Sequence, residues 1–168
     1  PTTAFVDLRL SSPVQVALLL CDKLGRNPFS LKAHQVPCPR NPALKGEVSF
    51  DYSSHNGYFR IGEGHFAFDT RWSKRSNTLI ACYTDSPNRR GVALAPRGAD
   101  LGSLPAIDTL DFTSRVRTAE VGRLVVLQNT YGIYAVIEIV EIKDDTRGDP
   151  EDNLRCKYWI MDDGSSNF

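Results

Sequence analysis

The period of apolar and polar positions changes along the chain. From Ser12 to Gly25, Val14, Ala17, Leu18, Cys21 and Leu24 recur at helical spacing, and Val16, Leu19 and Leu20 widen the apolar face, which predicts a largely buried helix over 12–25. Ser12 is placed to cap it, Pro13 suits the first helical position, Gln15 completes a capping-box spacing and Gly25 supplies the stop. Pro28, Pro37, Pro39 and Pro42 then bias their predecessors toward extended conformations, so residues 26–46 are expected to wrap the surface without regular structure.

Over 47–161 the period becomes two. Val48 with Phe50, Tyr58 to Ile61, Phe66 and Phe68 up to Trp72, Thr78 to Tyr83, Gly91 to Leu94, Leu124 to Gln128, Ile133 to Ile142 and Leu154 to Met161 read as short strands. Turns such as Ser54-His55-Asn56-Gly57, Gly62-Glu63-Gly64 and Asn129-Thr130-Tyr131-Gly132 separate them. Residues 85–117 are weakly patterned. Ile133, Ala135, Ile137 and Ile139 share one face, whereas Val140 and Ile142 continue the apolar set one residue out of phase; this slip predicts a β-bulge or sharp coil. The expected fold is mainly β: a small antiparallel, partly open β-barrel or sandwich with one N-terminal capping α-helix, in a single domain over 1–168.

Composition narrows the class without naming a function. The 168 residues are 41% hydrophobic and 24% charged, enough for one core without disulfide or metal staples. Lys plus Arg and Asp plus Glu cancel at 20 each, so no global charge points to nucleic acid or an acidic membrane surface. No apolar run approaches the roughly 18 residues that would span a bilayer as a helix. The apolar stretch Val14 to Leu20 ends in Cys-Asp-Lys, without a small-residue cleavage site, and the four cysteines include no C-x-x-C pair. These features are read as a cytoplasmic protein with reduced thiols, although four cysteines permit three pairings.

Zero net charge conceals a local imbalance. Between residues 71 and 97, Arg71, Lys74, Arg75, Arg89, Arg90 and Arg97 face only Asp85, while residues 144–163 carry seven acids against Arg147, Arg155 and Lys157. The basic stretch also holds Trp72, Ser73, Asn77 and Tyr83, so it combines guanidinium forks for an anion, hydroxyl and amide groups for orientation, and aromatic faces for stacking. The candidate ligand-binding residues are therefore Arg71, Trp72, Ser73, Arg75, Asn77, Tyr83 and Arg90, with Arg115 and Arg117 as an extension of the patch. The competing account is that Trp72 packs in the core and the arginines are solvated or paired with the acidic loop. His34 and Cys38 are four apart, but in a proline-rich context that disfavours a zinc site. His55 or His65 beside a carboxylate would make an acid/base pair, and Glu141-Ile142-Lys143 resembles half of a metal-dependent nuclease site.

The run Asp69-Thr70-Arg71-Trp72-Ser73-Lys74-Arg75-Ser76-Asn77-Thr78, continuing to Tyr83-Thr84-Asp85, resembles a W-S-K-x-S-N pattern of uncharacterised bacterial β-rich domains, some of which occur beside TIR-type immune effector modules. The resemblance extends from about Phe50 to Ile142 and implies a possible defence association, but transfers no residue roles. Asp85-Ser86-Pro87-Asn88, Val92-Ala93-Leu94 and Gly102-Ser103-Leu104-Pro105 are similar in spacing to HIRAN modules, small β-barrels that bind DNA ends; Arg89-Arg90 stand where that pattern expects an acid. A shared fold would not fix the function in either case.

The sequence thus leads to a non-enzymatic cytoplasmic recognition module that binds a protein partner or a small anionic, phosphate-bearing ligand. A nucleic-acid-binding β-barrel is the first alternative and a small hydrolase or nuclease the second. No catalytic residue, metal ligand or cofactor is assigned, no membrane partner is expected, and the oligomeric state is left open.

Overall fold

The computed structural model describes residues 40–161. The expected helix over 12–25, His34, Cys21, Cys38 and most of the proline-rich wrap lie outside the described residues.

Ten strands form two five-stranded sheets. The first has the order β1 (Arg40–Asn41), β3 (Tyr58–Ile61), β4 (Phe68–Ser76), β5 (Leu79–Tyr83), β7 (Val116–Glu120). The second has the order β2 (Lys45–Phe50), β10 (Asn153–Ile160), β9 (Tyr134–Lys143), β8 (Leu124–Asn129), β6 (Arg89–Leu94). All pairings are antiparallel except β1 with β3. The mainly β expectation is met, and hydrogen bonding does not close the sheets into one barrel. Several boundaries differ from the sequence reading: Arg40–Asn41 already pairs with Arg60–Ile61, β2 begins at Lys45 inside the stretch expected to be irregular, β4 runs on to Ser76, β6 begins at Arg89, and β7 is a strand that the sequence pattern does not mark.

Alternation fixes what faces the core. On β10, Leu154, Cys156, Tyr158 and Ile160 are buried while their neighbours are partly exposed. They meet Phe59, Ile61, Phe68, Trp72, Ile80 and Cys82 of the first sheet in one cluster, which also takes in Val125, Leu127, Ile137 and Ile139. The phase slip on β9 lies where the sequence puts it. Arg155 pairs with Glu141 but Cys156 pairs with Ile139, so Val140 is the extra residue of a bulge and Ile142 returns to the core.

A second apolar cluster explains why β8 lacks alternation. Leu124, Val125, Val126 and Leu127 are all buried, because the opposite face of that sheet is covered by the connection between β6 and β7. Ile107 of this connection is fully buried against a set that includes Ala93, Val126, Val136 and Met161, with Leu101, Leu104, Leu110 and Phe112 around it. Leu101 and Ile107 sit in short 3₁₀ turns, Leu101–Ser103 and Ile107–Thr109, and Leu104, Leu110 and Phe112 in the irregular chain after them, so their spacing matches neither a helix nor a strand. The weak patterning of residues 85–117 follows from that. Cys82 and Cys156 are free and buried. Among the described residues, no helix is long and apolar enough to cross a membrane.

Candidate functional site

Strand register assembles the site. Tyr58 on β3 lies opposite Arg71 on β4, and one step beyond the Trp72–Cys82 pair Arg71 faces Tyr83 on β5. The guanidinium carbon of Arg71 is 5.5 Å from the centre of each tyrosine ring, so a cross-strand row of three residues holds one cation against two aromatic rings. Tyr83 pairs in turn with Val116 at the start of β7, which brings the preceding residue, Arg115, to the same end of the sheet.

Asp85, just after β5, joins the two arginines. Arg115 donates from Nε and Nη2 to its two carboxylate oxygens at 2.7 and 2.6 Å, and Arg71 donates from Nη1 at 3.0 Å. The fork from Arg115 is the main reason the Asp85 carboxyl is held below its usual range, with the charges of both arginines adding to it. The side chain of Arg115 is 71% exposed, so part of this cationic surface faces solvent. Close by, the Ser73 and Tyr83 hydroxyls are 2.8 Å apart. One of their two hydroxyl hydrogens makes that contact, which leaves the other for a further acceptor.

The segment after β2 supplies another wall. Asp51 accepts from the Ser53 amide and hydroxyl at 2.7 and 2.6 Å and from the Ser54 amide, fixing a tight turn. His55, Asn56 and Gly57 then follow with φ of 47°, 56° and 77°. Three successive left-handed residues, two of them bearing side chains, are a strained conformation. Gly57 is required in it, since a Cβ there would lie 1.9 Å from the carbonyl oxygen of Trp72. Asn56 Oδ1 accepts a long bond from Arg71 at 3.4 Å. Tyr52, Ser53, Asn56, Arg71, Trp72, Ser73, Tyr83, Asp85 and Arg115 together line a cleft of about 240 Å³.

Four of the seven residues expected from sequence, Arg71, Trp72, Ser73 and Tyr83, are thus brought to one cleft. Trp72 has a different role from the stacking face expected of it. It is 2% exposed in the core, and its indole N–H donates to Thr70 Oγ1 at 2.8 Å. Arg75 is exposed near the end of β4, Asn77 is exposed in the β4–β5 turn, and Arg90 is exposed on β6 of the other sheet; none of the three lines the cleft. Arg117 turns to Asp111, donating to its carbonyl and pairing with its carboxylate, both at 2.6 Å. The sequence reading did not select Asp85, Tyr52, Ser53 or Asn56. Only Asp85 carried a signal, as the lone acid in a basic stretch.

Much of that basic stretch is neutralised internally. Arg97 pairs with Glu120 at 3.4 Å. Arg89 is buried and donates to the carbonyls of Tyr83 and Asp69 and to Cys82 Sγ. Lys74 reaches the acidic loop, with its Nζ 3.3, 2.8 and 3.0 Å from Asp144, Asp145 and Asp152. Hydrogen bonds to Asp145 and Asp152 hold its ammonium in the charged form and push its pKa up, outweighing partial desolvation. Those three aspartates are the only grouping of potential metal ligands among the described residues, with oxygens within 4.8 Å of one another. Lys74 already supplies positive charge there. Tyr52 borders this cluster, donating to the Lys143 carbonyl at 2.6 Å and to Asp152 at 3.2 Å. Burial, then the charge of Asp152, pushes its phenol pKa up, so it stays a donor.

The enzymatic alternatives find no assembled site among the described residues. The His65 ring lies tilted against Tyr131 with centroids 4.5 Å apart, and neither His65 nor His55 has a carboxylate partner. Glu141 pairs with Arg155 and Lys143 with Glu151. In comparisons with known proteins, the chain matches no family model, no curated protein and no solved structure.

Proposed function

We propose that the protein is a recognition module that binds a small anionic group in the cleft between Arg71, Arg115, Ser73 and Tyr83. The observation that carries this reading is the shared carboxylate: two guanidinium groups converge on Asp85 alone, leaving the cleft with an excess of one positive charge and with N–H and O–H donors facing one volume. Guanidinium forks recognise carboxylate and phosphate groups in this manner. The cleft also falls somewhat below the roughly 300–1,000 Å³ typical of pockets for larger ligands, which favours an anionic group over an extended molecule. Nucleic acid is less well served, because the tryptophan needed for base stacking is in the core and Lys74, Arg89 and Arg97 are engaged elsewhere.

The two tryptophans provide a test in the full chain. Trp72 lines the cleft, whereas Trp159 lies on β10 of the other sheet. Inorganic phosphate titrated into nitrogen-15-labelled protein is expected to move the Trp72 indole signal saturably and leave Trp159 in place. Arg115→Ala should weaken that response at least about tenfold, the scale of one lost charge-assisted fork. Equal movement of both signals, or an unchanged response in Arg115→Ala, would remove the cleft as the binding site.

A further inference from the structure

Asp85 occupies the position that an incoming anion needs. Its two oxygens take the Nε and Nη2 donors of Arg115 and the Nη1 donor of Arg71, the groups that would otherwise grip a ligand. We infer that Asp85 is a resident competitor in the cleft, and that the ligand is a phosphate monoester which takes its place on Arg71 and Arg115. This inference rests on the anion-recognition reading above and adds to it the mode of entry and the ligand class.

Asp85 belongs to the chain, so its carboxylate is present at the high effective concentration of an intramolecular group. A free carboxylate offers the arginines the same two oxygens and one negative charge, and gains nothing by exchange. A phosphodiester likewise brings a single charge. A phosphate monoester carries about −1.5 to −2 at neutral pH and three acceptor oxygens. Once Asp85 swings out, two guanidinium charges face that dianion. Its third oxygen can accept the spare hydroxyl hydrogen of the Ser73–Tyr83 pair. Arg71 stays in place because Tyr58 and Tyr83 flank it, so the exchange needs movement only of Asp85, in the segment between β5 and β6, and of the exposed Arg115 side chain.

The surrounding charges do not alter this balance. Asp51 is turned into its own loop by the Ser53 and Ser54 bonds. Asp144, Asp145 and Asp152 share Lys74, Asp144 also pairs with Arg147, and none of the three acids lines the cleft. The Tyr52 phenol is committed to Lys143 and Asp152. His55 is in the wall loop but does not line the cleft.

The test compares phenyl phosphate, dimethyl phosphate and acetate on the full chain at one pH near 7.5, read by calorimetry and by the Trp72 indole signal. Wild type, Asp85→Asn and Asp85→Ala are compared, with thermal unfolding as a check that each variant is folded. The expected order is phenyl phosphate well ahead of dimethyl phosphate and acetate. Both variants should bind phenyl phosphate about five- to tenfold more tightly, because the fraction of protein with a free fork rises when the competitor is removed. Weaker binding of phenyl phosphate by the folded variants would overturn the inference and make Asp85 a positioning residue, with the anion-recognition reading intact. Wild-type preference for dimethyl phosphate or acetate would also overturn the monoester assignment. Failure of every anion to bind by calorimetry in all three proteins would remove both readings together. A capped phosphoserine peptide and adenosine monophosphate form the last arm; tighter binding of either supports the inference and names its source as a modified protein or a free metabolite.

Discussion

Asn88 and Asn129 donate to the same carbonyl oxygen, that of Ala67, at 3.1 and 3.4 Å. Asn129 ends β8 and Asn88 precedes β6, both at one end of the second sheet, whereas Ala67 leads into β4 of the first. The two amides therefore tie the sheets together at this end, where Asn88 Oδ1 also accepts from the Asp69 amide at 2.9 Å. Asn129 is fully buried and uses its whole side chain: Nδ2 also donates to the His65 carbonyl at 2.7 Å, and Oδ1 accepts from the Tyr131 and Ile133 amides, both at 3.0 Å.

Replacing Asn129 with Ala leaves the Tyr131 and Ile133 amides and the His65 carbonyl, all at part-buried contacts, without these partners. The expected loss is about 2–4 kcal/mol of unfolding free energy, against about 1–2 kcal/mol for Asn88→Ala, which loses its bonds to the Ala67 carbonyl and the Asp69 amide at a partly buried site. Urea denaturation of the two variants measures the difference. Equal losses would mean that the Asn129 network does not carry the junction.

The strained wall of the cleft makes two neighbouring substitutions opposite in sign. Gly57→Ala places a methyl group against the Trp72 carbonyl at a φ that disfavours side chains, and should cost more than about 1–3 kcal/mol. Asn56→Gly relieves a side-chain-bearing residue at φ 56° and loses only the 3.4 Å contact to Arg71, so its stability should change by less than about 1 kcal/mol, with relief of strain favouring a gain. Thermal melts of both variants decide the matter; a tolerated Gly57→Ala would show that the loop can move away from β4.

Lys74→Met removes the cation shared by Asp144, Asp145 and Asp152. The Asp144 pKa is depressed, chiefly by the Thr146 hydroxyl, with Lys74 contributing. A depressed carboxyl contributes stability that is present above its unfolded value, near 3.9, and is lost as pH falls through the lower folded value. The variant should therefore melt below wild type at pH 7, and the gap should narrow as pH falls below about 4 and the carboxyls take up protons. Melting curves at the two pH values test this. A gap that is the same at both would assign the loss to packing of the lysine stem.

The elements that the sequence reveals are those with a repeating environment. β10 alternates because one face meets the core and the other does not, and the phase slip at Val140 is legible because two apolar sets on one strand demand an extra residue between them. The strand order is not written locally, since adjacent partners such as β2 and β10 lie about a hundred residues apart in the chain. The same holds for the cleft. Arg71, Ser73 and Tyr83 are close enough in sequence to read as a group and Arg115 reads as an extension of it, whereas Tyr52 and Asn56 reach them only through the register of β3 and β4. Trp72 shows the limit of composition: a tryptophan among arginines suggests a stacking surface, but its place in the alternation, in phase with Phe68 and Thr70, turns it to the core.

The connection from β6 to β7 joins two tasks that are otherwise far apart. Through Ile107 it seals the second apolar cluster, and at its far end it delivers Arg115 to the cleft. Heat or denaturant that loosens the short turns around Ile107 would therefore withdraw Arg115 from Asp85 while both sheets remain folded, since locally stabilised segments open at lower free energy than the sheet core. On the anion-recognition reading proposed above, ligand affinity would then fall with the integrity of this strap, well before the protein as a whole gives way.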